Sequence, residues 1–304
     1  MSKYHVPVML NECLDGLNIK PDGVYVDVTF GGGGHSRAIL EKLGPKGKLI
    51  AFDQDEDAKA NIPKDDRLIF IDQNFEFIKN HIQYQGLLPV DGILADLGVS
   101  SHQFDVDERG FSYRFDEAIL DMRMDRTAGK SAADILNTAT EAEIADMFYY
   151  YGELNQARSM AKQIIVARQG KLINTVADLK NALNQFAPKF KDYKFWSQVF
   201  QALRIEVNRE LEVLKSLLNQ CADVIKPEGR LVVMSYHSLE DRLVKNYINT
   251  GNFKGELEKD FYGNPIKPFT AISKRAATAN AKELEENTRS RSSKLRIAQR
   301  NQPK

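Results

Sequence analysis

Residues 24–40, VYVDVTFGGGGHSRAIL, constrain this chain more than any other stretch. Val24, Val26 and Val28 alternate with Tyr25, Asp27 and Thr29, a period-2 run of β-favouring residues that predicts a strand. Residues 31–34 are four glycines, and Ser36-Arg37-Ala38-Ile39-Leu40 then begins a helical pattern with Ser36 as a first-turn or cap residue. A strand, a glycine turn and a helix start form the opening of a nucleotide-binding βαβ unit. Glycine lets a ligand approach the backbone, and a helix N-terminus offers free amide donors. Four glycines can equally well do no more than turn the chain, so the stretch has to be weighed with the rest of the sequence.

On either side of this stretch the chain keeps a regular rhythm. An amphipathic segment (Val8, Met9, Cys13, Leu14, Leu17) and a Pro21-Asp22-Gly23 turn precede the first strand. Further strands are predicted over residues 48–53, 67–72 and 90–96, with a helix over 75–84. Strands separated by helices imply right-handed crossovers and a parallel sheet. The rhythm then stops. Residues 102–125 are polar and aromatic, and helical patterns follow over 131–136, 141–151, 154–169 and 176–186. A long helix is expected over 198–225, then a turn at Lys226-Pro227-Glu228-Gly229, a strand over 230–236, and two strand candidates over 269–274 and 294–299. The expected architecture is α/β, a Rossmann-like sheet formed by residues 1–104 and 201–304, with residues 105–200 as a helical insertion.

The 304 residues leave room for one large domain or two. Lys plus Arg and Asp plus Glu each total 42, so global charge points to no particular partner. Cys13 and Cys221 lie far apart with no CxxC, which suits a reducing compartment. No apolar run approaches the roughly 20 residues of a membrane span. A cytoplasmic enzyme is the expectation.

Ligands of open α/β sheets sit at the C-terminal strand ends, near the switch point. Asp27, the glycine turn, Asp53, Asp96 and His237 all fall at or just beyond such ends. Asp53 follows Gly34 at about the 20-residue spacing of an acid that binds a ribose diol. NAD is the first cofactor such a spacing suggests. However, GGGGHS is not GxGxxG, and no second mononucleotide half is present. S-adenosylmethionine (SAM) fits better, since it has a ribose and no pyrophosphate. Phe75, at a helix start, can pack on an adenine face or serve as a core aromatic. Gly98 and the serines after Asp96 leave room for a methyl acceptor.

Seven ordered motifs, DVTFGGGGHS, ILADLGVSSHQ, ERGFSY, LDMRMD, FQALRIEVNRELE, SYHSLEDR and RSRSSKLRIAQR, together resemble the MraW/RsmH family. That resemblance, running from about Val8 to Arg300, implies methylation of the exocyclic N4 of a cytosine in the decoding region of 16S ribosomal RNA, within a small-subunit particle. It also implies SAM contacts by Gly33, Gly34, His35, Asp53, Phe75, Asp96 and Gln103, and a helical insertion in a Rossmann-like methyltransferase domain. Two segments depart from the family pattern: KFKDYKFWSQV stands where a His-Pro-Ala-Thr-Arg-like run is common, and GELNQAR where Gly-Glu-Glu-Arg is. Both bear on RNA contact rather than on the cofactor.

An exocyclic amine is a weak nucleophile, so in-line positioning and a proton acceptor matter most. Asp96, Ser100, Ser101 and His237 are the candidate acceptors. A route through carbon 5 of the ring needs a cysteine nucleophile; Cys13 and Cys221 follow no suitable strand and read as packing residues. His5, His81 and His102 form no ligand-spaced cluster, and Asp105, Asp107 and Glu108 read as a solvated acidic turn, so no metal is expected. For RNA, Arg289, Arg291 and Arg296 lie in a C-terminal stretch, residues 287–304, that carries six basic residues and no acid. Arg109 and Arg114 are interspersed with Phe111, Tyr113 and Phe115, a mixture suited to phosphate contact and base stacking. A small-molecule methyltransferase with a lid, and a non-catalytic SAM- or RNA-binding protein, are the alternatives; oligomeric state stays open.

Overall fold

The computed structural model describes residues 7–100, 103–104, 106–190 and 192–302, without the side chains of Thr288 and Arg289. Two compact units result: Met1–Gly98 with Leu211–Lys304, and Val99–Glu210. The helical unit thus reaches beyond residues 105–200 at both ends.

The first unit is a seven-stranded sheet in the order β3-β2-β1-β4-β5-β7-β6. Its strands are β1 Val24–Asp27, β2 Lys48–Asp53, β3 Leu68–Asp72, β4 Val90–Asp96, β5 Ile225–Ser235, β6 Phe269–Ala271 and β7 Lys294–Arg300. β1 to β5 pair in parallel, and β7 runs antiparallel between β5 and β6. The chain winds outward from β1 in one direction to β3 and from β4 in the other, so the switch point lies between β1 and β4. This is the expected Rossmann-like class.

Strand periodicity sorts side chains into two cores. Val26, Ile50, Phe52, Ile93, Leu231 and Val233 face the helices Ile78–Tyr84, Glu210–Val224 and Ser238–Thr250. Tyr25, Leu49, Leu94, Val232 and Met234 face α1 (Leu10–Leu17) and α2 (Gly34–Lys42). Both faces are covered, which is why residues 93–95 of β4 and 231–234 of β5 read as uninterrupted apolar runs.

Three sequence expectations are corrected. The KPEG segment is a bulge inside β5, where Val90 pairs with Ile225 but Gly92 with Arg230, and Glu228 takes φ 67°. The helix over 198–225 is two, Asp192–Asn208 and Glu210–Val224, broken where Arg209 adopts φ 51°. Asn208 holds that break: its amide donates to the Met122 and Arg204 carbonyls, and its oxygen accepts from Met124 N. β6 stops at Ala271.

The second unit has its own core of Leu120, Met122, Leu136, Ile144, Phe148, Met160, Ile164, Leu179 and Leu203, all fully buried. Capping boxes at Ser131, Thr140 and Thr175 start three of its helices. Among the described residues no helix is long and apolar enough to cross a membrane.

Candidate active site

The glycine turn is built as its sequence requires. Gly31 and Gly33 take φ 51° and 73°, values that only glycine adopts at little cost. A Cβ on Gly33 would lie 2.8 Å from the Phe30 ring, and one on Gly34 2.3 Å from Pro7. One on Gly32 would meet nothing within 4 Å, so that side of the turn is open. α2 begins at Gly34, two residues before the expected Ser36. Gly33 caps it with no side-chain bond, and among the described residues the amides of Gly34, His35 and Ser36 find no acceptor. Ser36 instead turns inward and donates to Asp27 Oδ2 at 2.7 Å.

Asp53 ties the turn to β2. Its Oδ2 accepts from Gly31 N at 2.7 Å and its Oδ1 from Asp55 N at 2.8 Å. Burial raises its pKa to about 6 in spite of these two bonds, which lower it. Each oxygen keeps a lone pair, which is what two neighbouring hydroxyls need.

Asp96, at the end of β4, is the centre of a half-buried polar group. Its backbone N–H donates to Thr29 Oγ1 at 2.7 Å, and the Tyr236 hydroxyl donates to its Oδ1 at 2.7 Å. His35 Nδ1 stands 3.7 Å from its Oδ2, while His35 Nε2 lies 3.2 Å from the Val8 carbonyl. A carbonyl can only accept, so Nε2–H is the donor to Val8, an assignment made from the bonding. Burial raises Asp96 to about 6, against the opposing pull of His35 and of the Tyr236 hydrogen bond. Burial also pushes up the Tyr236 hydroxyl, so it stays a donor.

The first unit therefore brings together Gly33, Gly34, His35, Asp53 and Asp96, with Asp27 beneath them. Phe75 begins a short 3-10 helix after β3 and is half-buried against the sheet core. Tyr236 was missed by sequence reasoning; its position one residue beyond the end of β5 was the available signal. His237 caps the helix Ser238–Thr250: its Nδ1 accepts from Glu240 N at 3.5 Å, with Nε2 3.2 Å from Glu240 Oε1 but not aligned as a hydrogen bond. Ser100 and Gln103 belong to the second unit, where Ser100 N donates to Gln103 Oε1 at 3.0 Å. Ser101, His102 and Asp105 lie outside the described residues, as do His5 and Lys304. Both cysteines are buried, and burial pushes both thiols up, which removes the thiolate a carbon-5 attack requires.

Two of the arginines expected at an RNA surface have internal work. Arg109 is 2% exposed and donates to the Arg123 and Met124 carbonyls, pinning the loop between Phe111 and the helices of its unit. Arg296 donates to Asp241 Oδ1 at 2.7 Å, and Lys294 to Oδ2 at 3.1 Å. The acid absent from residues 287–304 is thus supplied by a helix some 50 residues earlier; burial raises Asp241, and its two cations bring it below the ordinary carboxylate range. Arg114 and Arg291 are exposed, Arg114 lying 5.6 Å from the Phe115 ring centre.

The residues present fit SAM. Uncapped amides at α2 suit a carboxylate, the paired lone pairs of Asp53 suit the ribose diol, and the Asp27–Asp96 charge suits a cation. The MraW methylase family profile matches residues 2–301. The chain is 54% identical over 300 residues to the ribosomal RNA small subunit methyltransferase H of Parabacteroides distasonis, covering 98% of each chain. It is 53% identical over 298 residues to the enzyme of the same name from Flavobacterium johnsoniae, again with 98% of each covered. A solved rRNA methylase structure from Streptococcus thermophilus aligns over 99% of both chains with 12% identity and a TM-score of 0.43.

Proposed function

Because the chain belongs to the MraW methylase family and is a SAM-dependent methyltransferase, we propose that it methylates the exocyclic N4 of a cytosine in the decoding region of 16S ribosomal RNA, in a small-subunit particle. The observation that carries this reading is the near full-length identity to ribosomal RNA small subunit methyltransferases, combined with an intact acid pair at the strand ends.

When bound, SAM supplies an electrophilic methyl group. The chain's own residues do the rest. Gly33, Gly34 and His35 hold the amino-acid end, Asp53 the ribose, and Phe75 one adenine face. The family resemblance adds Gln103 to the residues that contact the cofactor. Asp96 accepts a hydrogen bond from the target amine, which draws nitrogen lone-pair density out of the ring and orients it for in-line transfer. With a pKa near 6, Asp96 is ionised at neutral pH and still basic enough to take the amine's proton. Tyr236 holds the carboxylate in place, with the His35 ring beside it. Ser100, Ser101 and His237 are secondary acceptors, and the helical unit, with Arg114, and the C-terminal cations Arg289 and Arg291 bind the RNA.

The test is transfer from labelled SAM to small-subunit rRNA, free and in ribosomal particles, followed by nucleoside analysis. N4-methylcytidine in the decoding region is expected. Label at any other atom or position overturns the assignment.

A further inference from the structure

We propose that Lys245, Lys274 and Arg296 form a phosphate-binding cleft that grips the RNA backbone a few nucleotides from the target base, a reading that rests on the ribosomal RNA assignment and deepens it.

The three side chains come from separate parts of the first unit. Lys245 lies on the helix Ser238–Thr250, Lys274 just past β6, and Arg296 on β7; together with Asn249 and Ser273 they line one shallow cleft. No pattern in the sequence joins them, since 29 positions separate Lys245 from Lys274 and 22 separate Lys274 from Arg296. Lys245 and Lys274 are exposed and make no ion pair or hydrogen bond with any described residue. Arg296 is different: Asp241 fixes its Nε, which orients the guanidinium as one wall. One carboxylate therefore meets the two cations Lys294 and Arg296, and Lys245 and Lys274 add positive charge that no acid offsets. Asn249 contributes an amide, a group that donates to phosphodiester oxygens, while the Ser273 hydroxyl is committed to the Arg275 carbonyl at 2.7 Å and only lines the cleft.

The sheet register fixes where this cleft lies. Asp96 pairs with Met234, Met234 with Leu295, and Leu295 with Ala277, so one row of residues runs from the catalytic acid to the edge of the sheet. Three strand spacings of about 4.8 Å put Ala277 roughly 14 Å from Asp96. Arg296 adjoins Leu295, and Lys274 is three residues before Ala277. Arg296 stands near the Asp96 end of the sheet, displaced sideways along it and on the face of the helix Ser238–Thr250, with Lys245 about two turns along that helix from the same end. A backbone phosphate held there sets the register of the strand and leaves one nucleotide to be splayed toward Asp96.

The test compares wild type with the double variant Lys245→Gln/Lys274→Gln and a control, Lys42→Gln/Lys46→Gln, which removes equal charge at the far end of α2. With small-subunit rRNA and particles, the double variant should raise the RNA KM at least fivefold with kcat unchanged. It should lower the slope of log binding constant against log salt by about two, one for each phosphate that a lysine no longer neutralises. Affinity for SAM should not move, and Lys245→Arg/Lys274→Arg should recover most of the binding. A double variant whose KM and salt slope match the control overturns the cleft while leaving the rRNA reading intact. A wild type that neither binds nor methylates small-subunit RNA overturns both.

Discussion

Two aspartates carry the proposed site, and each has a pKa raised to about 6 by burial. In the role proposed for Asp53, the ionised form is the one that accepts two ribose hydroxyls. SAM affinity measured by calorimetry should therefore fall as pH drops through about 6, and Asp53→Ala should weaken binding at pH 7.5 roughly ten- to a hundredfold, the scale of hydrogen bonds to a charged group. For Asp96 the sign of the stability effect is set by its raised folded pKa. Ionising it in the folded state is harder than in the unfolded chain, so the stability it contributes is full below about 4 and is lost as pH rises through about 6. Asp96→Asn keeps an acceptor for Tyr236 and removes the charge. Its unfolding free energy should match wild type near pH 4 and exceed it at pH 7.5, by about 1–2 kcal/mol because the carboxylate is 23% exposed and partly hydrated, while turnover is lost. A variant less stable than wild type at pH 7.5 would contradict this account. Wild-type turnover should rise with pH through about 6 for the same reason. Asp53 and Asp96 were legible as strand-end acids; Tyr236 was not, because its partner is 140 residues away.

At the scale of elements, β1, the glycine turn and α2 follow from local residue pattern, because alternation, φ freedom and amide exposure are local properties. Gly33→Ala tests the turn: at φ 73° with a Cβ 2.8 Å from Phe30, it should cost about 1–3 kcal/mol in chemical unfolding and weaken SAM binding in parallel. Retained stability would mean the turn relaxes freely. Where local pattern misled, a distant partner had decided the outcome. The proline and glycine of KPEG read as a turn, yet pairing with β4 on one side carries the strand through it as a bulge. The apolar period continued across residues 198–225, yet three hydrogen bonds from Asn208 stop the first helix at that residue. Arg109 among aromatics read as a nucleic-acid surface, yet two carbonyls 14 and 15 residues on take its guanidinium inside.

At the scale of the whole molecule, a helical unit is inserted between β4 and the helix that leads to β5. Its core draws only on its own residues, including Leu120, Phe148, Ile164 and Leu203. A fragment spanning Val99–Glu210 should therefore show a helical circular dichroism spectrum and cooperative thermal unfolding. A fragment that melts without cooperativity would mean the unit depends on the sheet.

The sequence alone determined the fold class, the glycine turn and the strand-end placement of the two acids, since alternation, glycine content and the position of an acid after an apolar run are local properties. Tertiary structure decided which cations are free and which are spent, because ion pairing joins segments that no sequence period relates. Arg296 answers to Asp241, and Lys245 comes beside Lys274 only through the order of β5, β7 and β6. It also decided how Asp96 is held, since the hydroxyl that fixes it arrives on the neighbouring strand.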